Sequence, residues 1–169
     1  MIEVYTDGGS RMTNYKITED TKCAYAFCFK QKNQIVKKIV FGYGLTNNQM
    51  ELGAIFDALT YFVNKTEDII IYSDSNYSIQ TLVNWSNTWE KNGWKKSNGK
   101  EIKNLELIKD IKKLMKKYNT VDFVKVKGHS TDEMNNITDE ALNWGMDLLT
   151  ENSPKIFPVD SCFEIEEVY

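Results

Sequence analysis

Three strand-like stretches open the chain and constrain everything that follows. IEVYTD (2–7) alternates between apolar and polar residues, the pattern of a strand with one face buried, and CAYAFCFK (23–30) and QIVKKIVFGYG (34–44) read as two more strands. The last two are separated only by the polar turn KQKN, so an antiparallel meander is predicted.

The period then changes. In TNNQMELGAIFDALTYFVNK (46–65), Met50, Ala54, Leu59 and Phe62, flanked by Ile55, Ala58 and Val63, form a helical stripe. The Asn47-Asn48 pair is the expected cap. DIIIYSDS (68–75) reads as a buried strand leading into a helix, NYSIQTLVNW (76–85). Residues 86–104 mix tryptophan, lysine, asparagine and glycine and are expected to protrude. LELIKDIKKLMKKY (105–118) is an amphipathic helix, VDFVKVKG (121–128) a strand, and NITDEALNWGMDLL (136–149) the last helix. This order predicts an α/β fold, a mixed sheet flanked by helices. Residues 151–169, with five acids to one lysine, read as an acidic C-terminal tail.

Length allows one domain with a real core, and an apolar content of 41% argues against disorder. No stretch of about eighteen apolar residues offers a membrane span, and no secretory signal pattern precedes the first strand. Cys23, Cys28 and Cys162 are few and odd in number, and Cys23 and Cys28 face opposite sides of one strand. An intracellular, reducing setting is expected, without secretion. The net charge of −3 does not by itself suggest nucleic acid, but residues 89–117 carry ten lysines against four acids. That excess fits either a solvated helix face or a phosphate-binding arm. Arg11 is the lone arginine.

Four acids sit where chemistry would place them. Asp7 ends the first strand pattern and Asp74 the buried one. Glu51 and Asp139 lie in the first turns of their predicted helices, beside the apolar stripe. Each has an ordinary use: an Asx turn for Asp7, a helix cap for Asp74, and the helix dipole for Glu51 and Asp139. Gathered in one place they would repel each other without a cation, and Mg²⁺ prefers such hard oxygen ligands.

YTDGG, TNNQMEL, YSDS and VKGHSTDEMNNITDEA, in this order, together with NWSNTWEKNGWKKSNGKEIKN between the last two, resemble type 1 ribonuclease H from about residue 2 to 149. The resemblance implies a ribonuclease H-like mixed five-stranded sheet, three antiparallel strands then two parallel. A catalytic domain would span 1–150, with a basic handle at about 85–104. It implies hydrolysis of the RNA strand of RNA/DNA hybrids, without sequence preference, leaving 5′-phosphate and 3′-hydroxyl ends. Two Mg²⁺ ions, or Mn²⁺ as substitute, would be held by Asp7, Glu51, Asp74 and Asp139, with Asp7 bridging. His129, the only histidine, matches the family's mobile acid/base group, and imidazole exchanges a proton near neutral pH.

Substrate contacts follow by the same resemblance. Amides suit a 2′-hydroxyl that both donates and accepts. Asn47, Asn48 and Gln49 precede Glu51, the first two reading the minor groove; Asn76, Asn135 and Asn14 are further candidates. Thr46 and Asn104 match a pocket for a DNA phosphate. Trp85 and Trp89 stand four apart in the handle, where Trp89 would lie against a DNA sugar and Lys91, Lys95 and Lys96 near phosphates. The expected state is a free-standing monomer, with the tail packing on the core or recruiting a protein. Competing readings are a junction resolvase or integrase core, a binding module of this fold without activity, and the ribonuclease domain of a reverse transcriptase. The TNNQME helix start and the handle argue against the first, and the complete acid set against the second.

Overall fold

The computed structural model describes residues 1–128, 131–150 and 163–168. Strands β1 (Ile2–Ser10), β2 (Lys22–Gln31) and β3 (Gln34–Tyr43) form the predicted meander, paired from Val4↔Phe29 and from Gln31↔Gln34. Strands β4 (Asp68–Ser73) and β5 (Thr120–Lys125) continue the sheet in parallel beyond β1. A further strand, β6 (Phe163–Val168), pairs antiparallel with β3, giving the order β5-β4-β1-β2-β3-β6.

The five expected strands are therefore joined by a sixth, drawn from the stretch read as a tail. Its register sets Glu166 opposite Lys38, and opposite charges at paired positions favour a register. That pairing gives part of the segment's acidity a place in the sheet.

Helices cover both faces. Helix α1 (Asn47–Phe62) buries Leu52, Ile55 and Leu59 against Val4, Phe27, Ile69 and Ile71 of the sheet, all fully buried. Leu and Ile side chains in such a core each resist truncation to Ala by roughly 2–5 kcal/mol. Its N-cap is Thr46 rather than the Asn pair. The Thr46 hydroxyl accepts from the Gln49 N–H at 3.1 Å, and Gln49 Oε1 accepts from the Thr46 N–H at 2.9 Å, a reciprocal capping box. Asn47 and Asn48 become the first helical residues.

After α2 (Asn76–Gln80) the helix does not stop at Trp85. A π-helical turn, Thr81–Trp85, leads directly into α3 (Ser86–Lys91), so the handle begins as helix. Helix α4 (Leu105–Met115) then returns to the core through Ile108 and Ile111.

Helix α5 (Glu133–Leu148) covers the other face, packing Met134, Ala141, Leu142 and Met146 on Ala24, Ala26, Cys28, Ile39 and Phe41. The approach is close at Gly145, where a Cβ would stand 2.8 Å from Ile39 Cγ2. The helix starts three residues earlier than its apolar pattern suggests. Asp132 caps it by accepting from the Asn135 N–H at 3.0 Å. Cys23 and Cys28 are buried in separate clusters on opposite faces of β2 and form no disulfide with each other. Among the described residues no helix is long and apolar enough to cross a membrane.

Candidate active site

The parallel register of β1 and β4 ends at Thr6↔Ser73, and the next residue on each chain is an aspartate. Asp7 and Asp74 are thereby set side by side. Asp7 does not end its strand as expected, because antiparallel pairing with β2 carries β1 on to Ser10. Asp74 does not cap the helix after it. That cap is Ser75, whose hydroxyl accepts from the Ser78 N–H.

Glu51 reaches the same point from α1. The backbone of α1 lies directly on Gly8, where a Cβ would stand 2.4 Å from the Met50 carbonyl carbon and 2.5 Å from the Glu51 nitrogen. Only glycine permits that approach. As a result, one oxygen each from Asp7, Glu51 and Asp74 lie within 4.8 Å of one another.

Asp7 is 5% exposed and Glu51 8%. Two carboxylates at this spacing repel by on the order of 3 kcal/mol at an effective dielectric near 20. Burial, followed by the Asp74 charge, pushes the Asp7 carboxyl up to about 7. Burial and then Asp7 push Glu51 well above the usual carboxylate range. The Gly8 N–H donates to Asp7 Oδ1 at 2.9 Å, and Glu51 hydrogen-bonds Asp7. Glu51 Oε2 is buried without a partner among the described residues. Three crowded carboxylates, one of which carries an orphaned oxygen, fit a divalent cation of the Mg²⁺ kind.

Asp139 stands off from this trio. It lies in the second turn of α5, not the first, which removes the helix-dipole explanation for it. Its charge still acts on Asp7. The Asn143 side-chain amide donates to the Asp139 carbonyl at 2.9 Å and approaches its Oδ1 at 3.4 Å. His129 lies outside the described residues. Its neighbour Gly128 sits where a Cβ would meet Asp74 Oδ2 at 3.2 Å, so the chain passes the site one residue earlier.

A stability prediction follows from the raised Asp7 group. Below its unfolded value near 3.8 the group is neutral in both states, and its contribution is fully present. That contribution is lost as pH rises through about 7. In EDTA, Asp7→Asn is expected to melt above wild type, and by about 5 °C more at pH 8 than at pH 5. Added Mg²⁺ at pH 8 should close the gap. Melting curves with equal gaps at both pH values would show that Asp7 is not strained by its neighbours.

The expected substrate residues divide into groups. Asn47, Asn48 and Asn76 are exposed beside the acids. Asn47 Oδ1 accepts from the Ser10 N–H at 2.6 Å, which ties the start of α1 to β1. Gln49 is engaged in the capping box, and Asn135 is only 2% exposed. Asn14 is exposed with positive φ, in the loop between β1 and β2.

Thr46 and Asn104 prove to be the N-caps of α1 and α4, and Asn104 adopts φ 61. Helix starts of this kind attract phosphate. In the handle, Trp85 is exposed and Trp89 half-buried, with ring centroids 6.3 Å apart. They line a cavity of about 380 Å³ with Asn48 and Asn104. Lys91, Lys95 and Lys96 line an adjoining hollow of about 610 Å³. Tyr77 and Lys103 also line the first cavity and escaped the sequence reading. Tyr77 receives a hydrogen bond from the Asn104 amide at 3.2 Å. Its spacing of eight from Trp85 is the signal that could have placed it on the same helical face.

A carboxylate cluster at paired strand ends of a mixed sheet, in a chain with a lysine-rich arm, suits cation-assisted hydrolysis of phosphate esters. The chain belongs to the RNase H family, whose sequence model matches residues 1–146. A ribonuclease H of Clostridium botulinum is 38% identical over 148 residues, 85% of this chain and 94% of the relative. Among solved structures, LC9-RNase H1, a type 1 RNase H with the type 2 active-site motif, superposes with TM-score 0.70 at 22% identity, over 88% of this chain and 73% of its own. A foamy viral protease-reverse transcriptase in complex with RNA/DNA hybrid gives TM-score 0.71 at 16% identity, over 88% of this chain and 20% of its own.

Proposed function

We propose that the protein cuts the RNA strand of RNA/DNA hybrids endonucleolytically, leaving 5′-phosphate and 3′-hydroxyl ends, with residues 1–150 as the catalytic unit. The convergence of Asp7, Glu51 and Asp74 within 4.8 Å carries this reading, and family membership supports it. Asp7, Glu51, Asp74 and Asp139 hold two Mg²⁺ ions, for which Mn²⁺ can substitute. Bound there, such ions supply charge neutralisation and an activated water for in-line attack.

The chain's own residues do the rest. Asp7 and Glu51, buried and crowded, hold their place by backbone packing at Gly8 and so need little rearrangement when the cation binds. Asn47 and Asn48 present amides to the 2′-hydroxyls of the RNA strand. The caps at Thr46 and Asn104 receive a phosphate of the DNA strand, and Trp85 and Trp89 offer aromatic surface to a sugar. His129 takes and releases a proton near the departing product.

The direct experiment is cleavage of a labelled hybrid, a double-stranded RNA and a four-way DNA junction, each with Mg²⁺ and with EDTA. Cleavage of the hybrid alone, in its RNA strand and only with Mg²⁺, is expected. Cutting of the junction, or of no substrate, would overturn the reading.

The handle carries its own prediction. Phosphate contacts make log K fall with log salt at about 0.9 per neutralised phosphate. Changing Lys91, Lys95 and Lys96 together to Ala should reduce the slope of hybrid binding by about 2 to 3, equally for hybrids of different sequence. An unchanged slope would show that these lysines face solvent only.

A further inference from the structure

The lone arginine has a placement that lysine could not reproduce. Arg11 leaves the end of β1 and reaches across to α5, where its Nη1 donates to Asp147 Oδ1 at 2.7 Å. Its Nη2 donates to the Asn143 carbonyl at 3.1 Å and to Asn143 Oδ1 at 3.4 Å. Three acceptors are served at once by a planar fork; a lysine ammonium is a single point with no such geometry. The ion pair with Asp147 is exposed on both sides and by itself adds little stability.

The consequence lies one step further along α5. A guanidinium only donates, so it draws the Asn143 amide oxygen toward itself. The amide nitrogen then has to face the other way, toward Asp139, whose carbonyl and Oδ1 it meets at 2.9 and 3.4 Å. The bond to the Asp139 carbonyl holds the amide in the same sense, and without the arginine it would have to do so alone.

We infer that Arg11, acting through Asn143, is a positioning residue that orients the Asp139 carboxylate, and so sets how tightly the cation shared with Asp139 is held. This rests on the proposed ligand set. Asp139 is the one acid of that set outside the crowded trio, so it depends on its own neighbours for aim. Residues that orient a metal ligand in this way typically change metal affinity by about 10- to 100-fold.

The test is titration of Mn²⁺ into the full chain bound to a nuclease-resistant hybrid, with melting temperature as a control for folding. Arg11→Leu and Asn143→Leu are each expected to weaken the weaker Mn²⁺ site by about tenfold, leaving the tighter site and the melting temperature nearly unchanged. Arg11→Lys should fall between them and wild type. In an Asp139→Asn background, Arg11→Leu should add no further loss. Wild-type Mn²⁺ affinity in Arg11→Leu, or an undiminished Arg11 effect in the Asp139→Asn background, overturns the inference. Wild-type protein that takes up no Mn²⁺ overturns the ligand set itself, a distinct result.

Discussion

Asp74→Asn is expected to lower hybrid hydrolysis by about three orders of magnitude under saturating Mg²⁺, the equivalent of roughly 4 kcal/mol of transition-state stabilisation. The substitution keeps the side chain's shape, and Asp74 sits at the end of β4 rather than in the apolar core. It also removes one negative charge from a cluster in which Asp74 raises both Asp7 and Glu51. The metal-free variant should therefore melt at or above wild type while losing activity. That opposite movement separates a broken site from a broken fold. Steady-state hydrolysis and thermal melts in EDTA measure both. Activity within about tenfold of wild type would remove Asp74 from the reaction and end the proposed function.

Gly8→Ala is expected to damage fold and site together. The added carbon meets backbone, not a flexible side chain: the Met50 carbonyl carbon at 2.4 Å, the Glu51 nitrogen at 2.5 Å and the Met50 oxygen at 2.7 Å. Neither β1, still paired with β2 at Gly8, nor α1, packed on the main core, yields locally. Overpacking of this kind costs about 3 kcal/mol, or roughly 6–12 °C in melting temperature. Relief requires α1 to lift, which carries Glu51 away from Asp7 and Asp74. Displacement near 1 Å at a reacting centre costs about a hundredfold in rate. Calorimetry and hybrid cleavage check the two parts. A variant with wild-type melting and wild-type rate would mean that α1 is not held against β1 at this point.

Much of the architecture is local and was legible. Alternation marks β1, apolar runs split by a polar turn mark β2 and β3, and period 3.6 marks α1. Asp74 follows the apolar run of β4, as a site residue at a strand end should. The misplaced boundaries share one cause, competition among hydrogen-bonding partners, near or distant in sequence, that periodicity does not rank. Asp7 looked terminal because the pattern changes there, but β2 keeps pairing for three more residues. The Asn pair looked like the cap of α1, yet the hydroxyl of Thr46 and the amide of Gln49 satisfy each other first. Asp132 captured the start of α5, moving Asp139 into the second turn. β6 was read as tail because its acidity has no local partner; the strand that receives it carries Lys37 and Lys38, more than a hundred residues earlier.

Residue types and spacing alone singled out four acids near the ends and starts of regular elements and one basic arm; the structure moves Asp7 inside β1 and Asp139 into the second turn of α5. Only the tertiary structure decided that three of those acids share a space of 4.8 Å while the fourth stands apart beside Asn143 and Arg11. Periodicity is a property of near neighbours and is written along the chain. The meeting of Asp7, Glu51 and Asp74 depends on the β1–β4 register and on the absence of a side chain at Gly8, contacts that exist only once distant segments have packed.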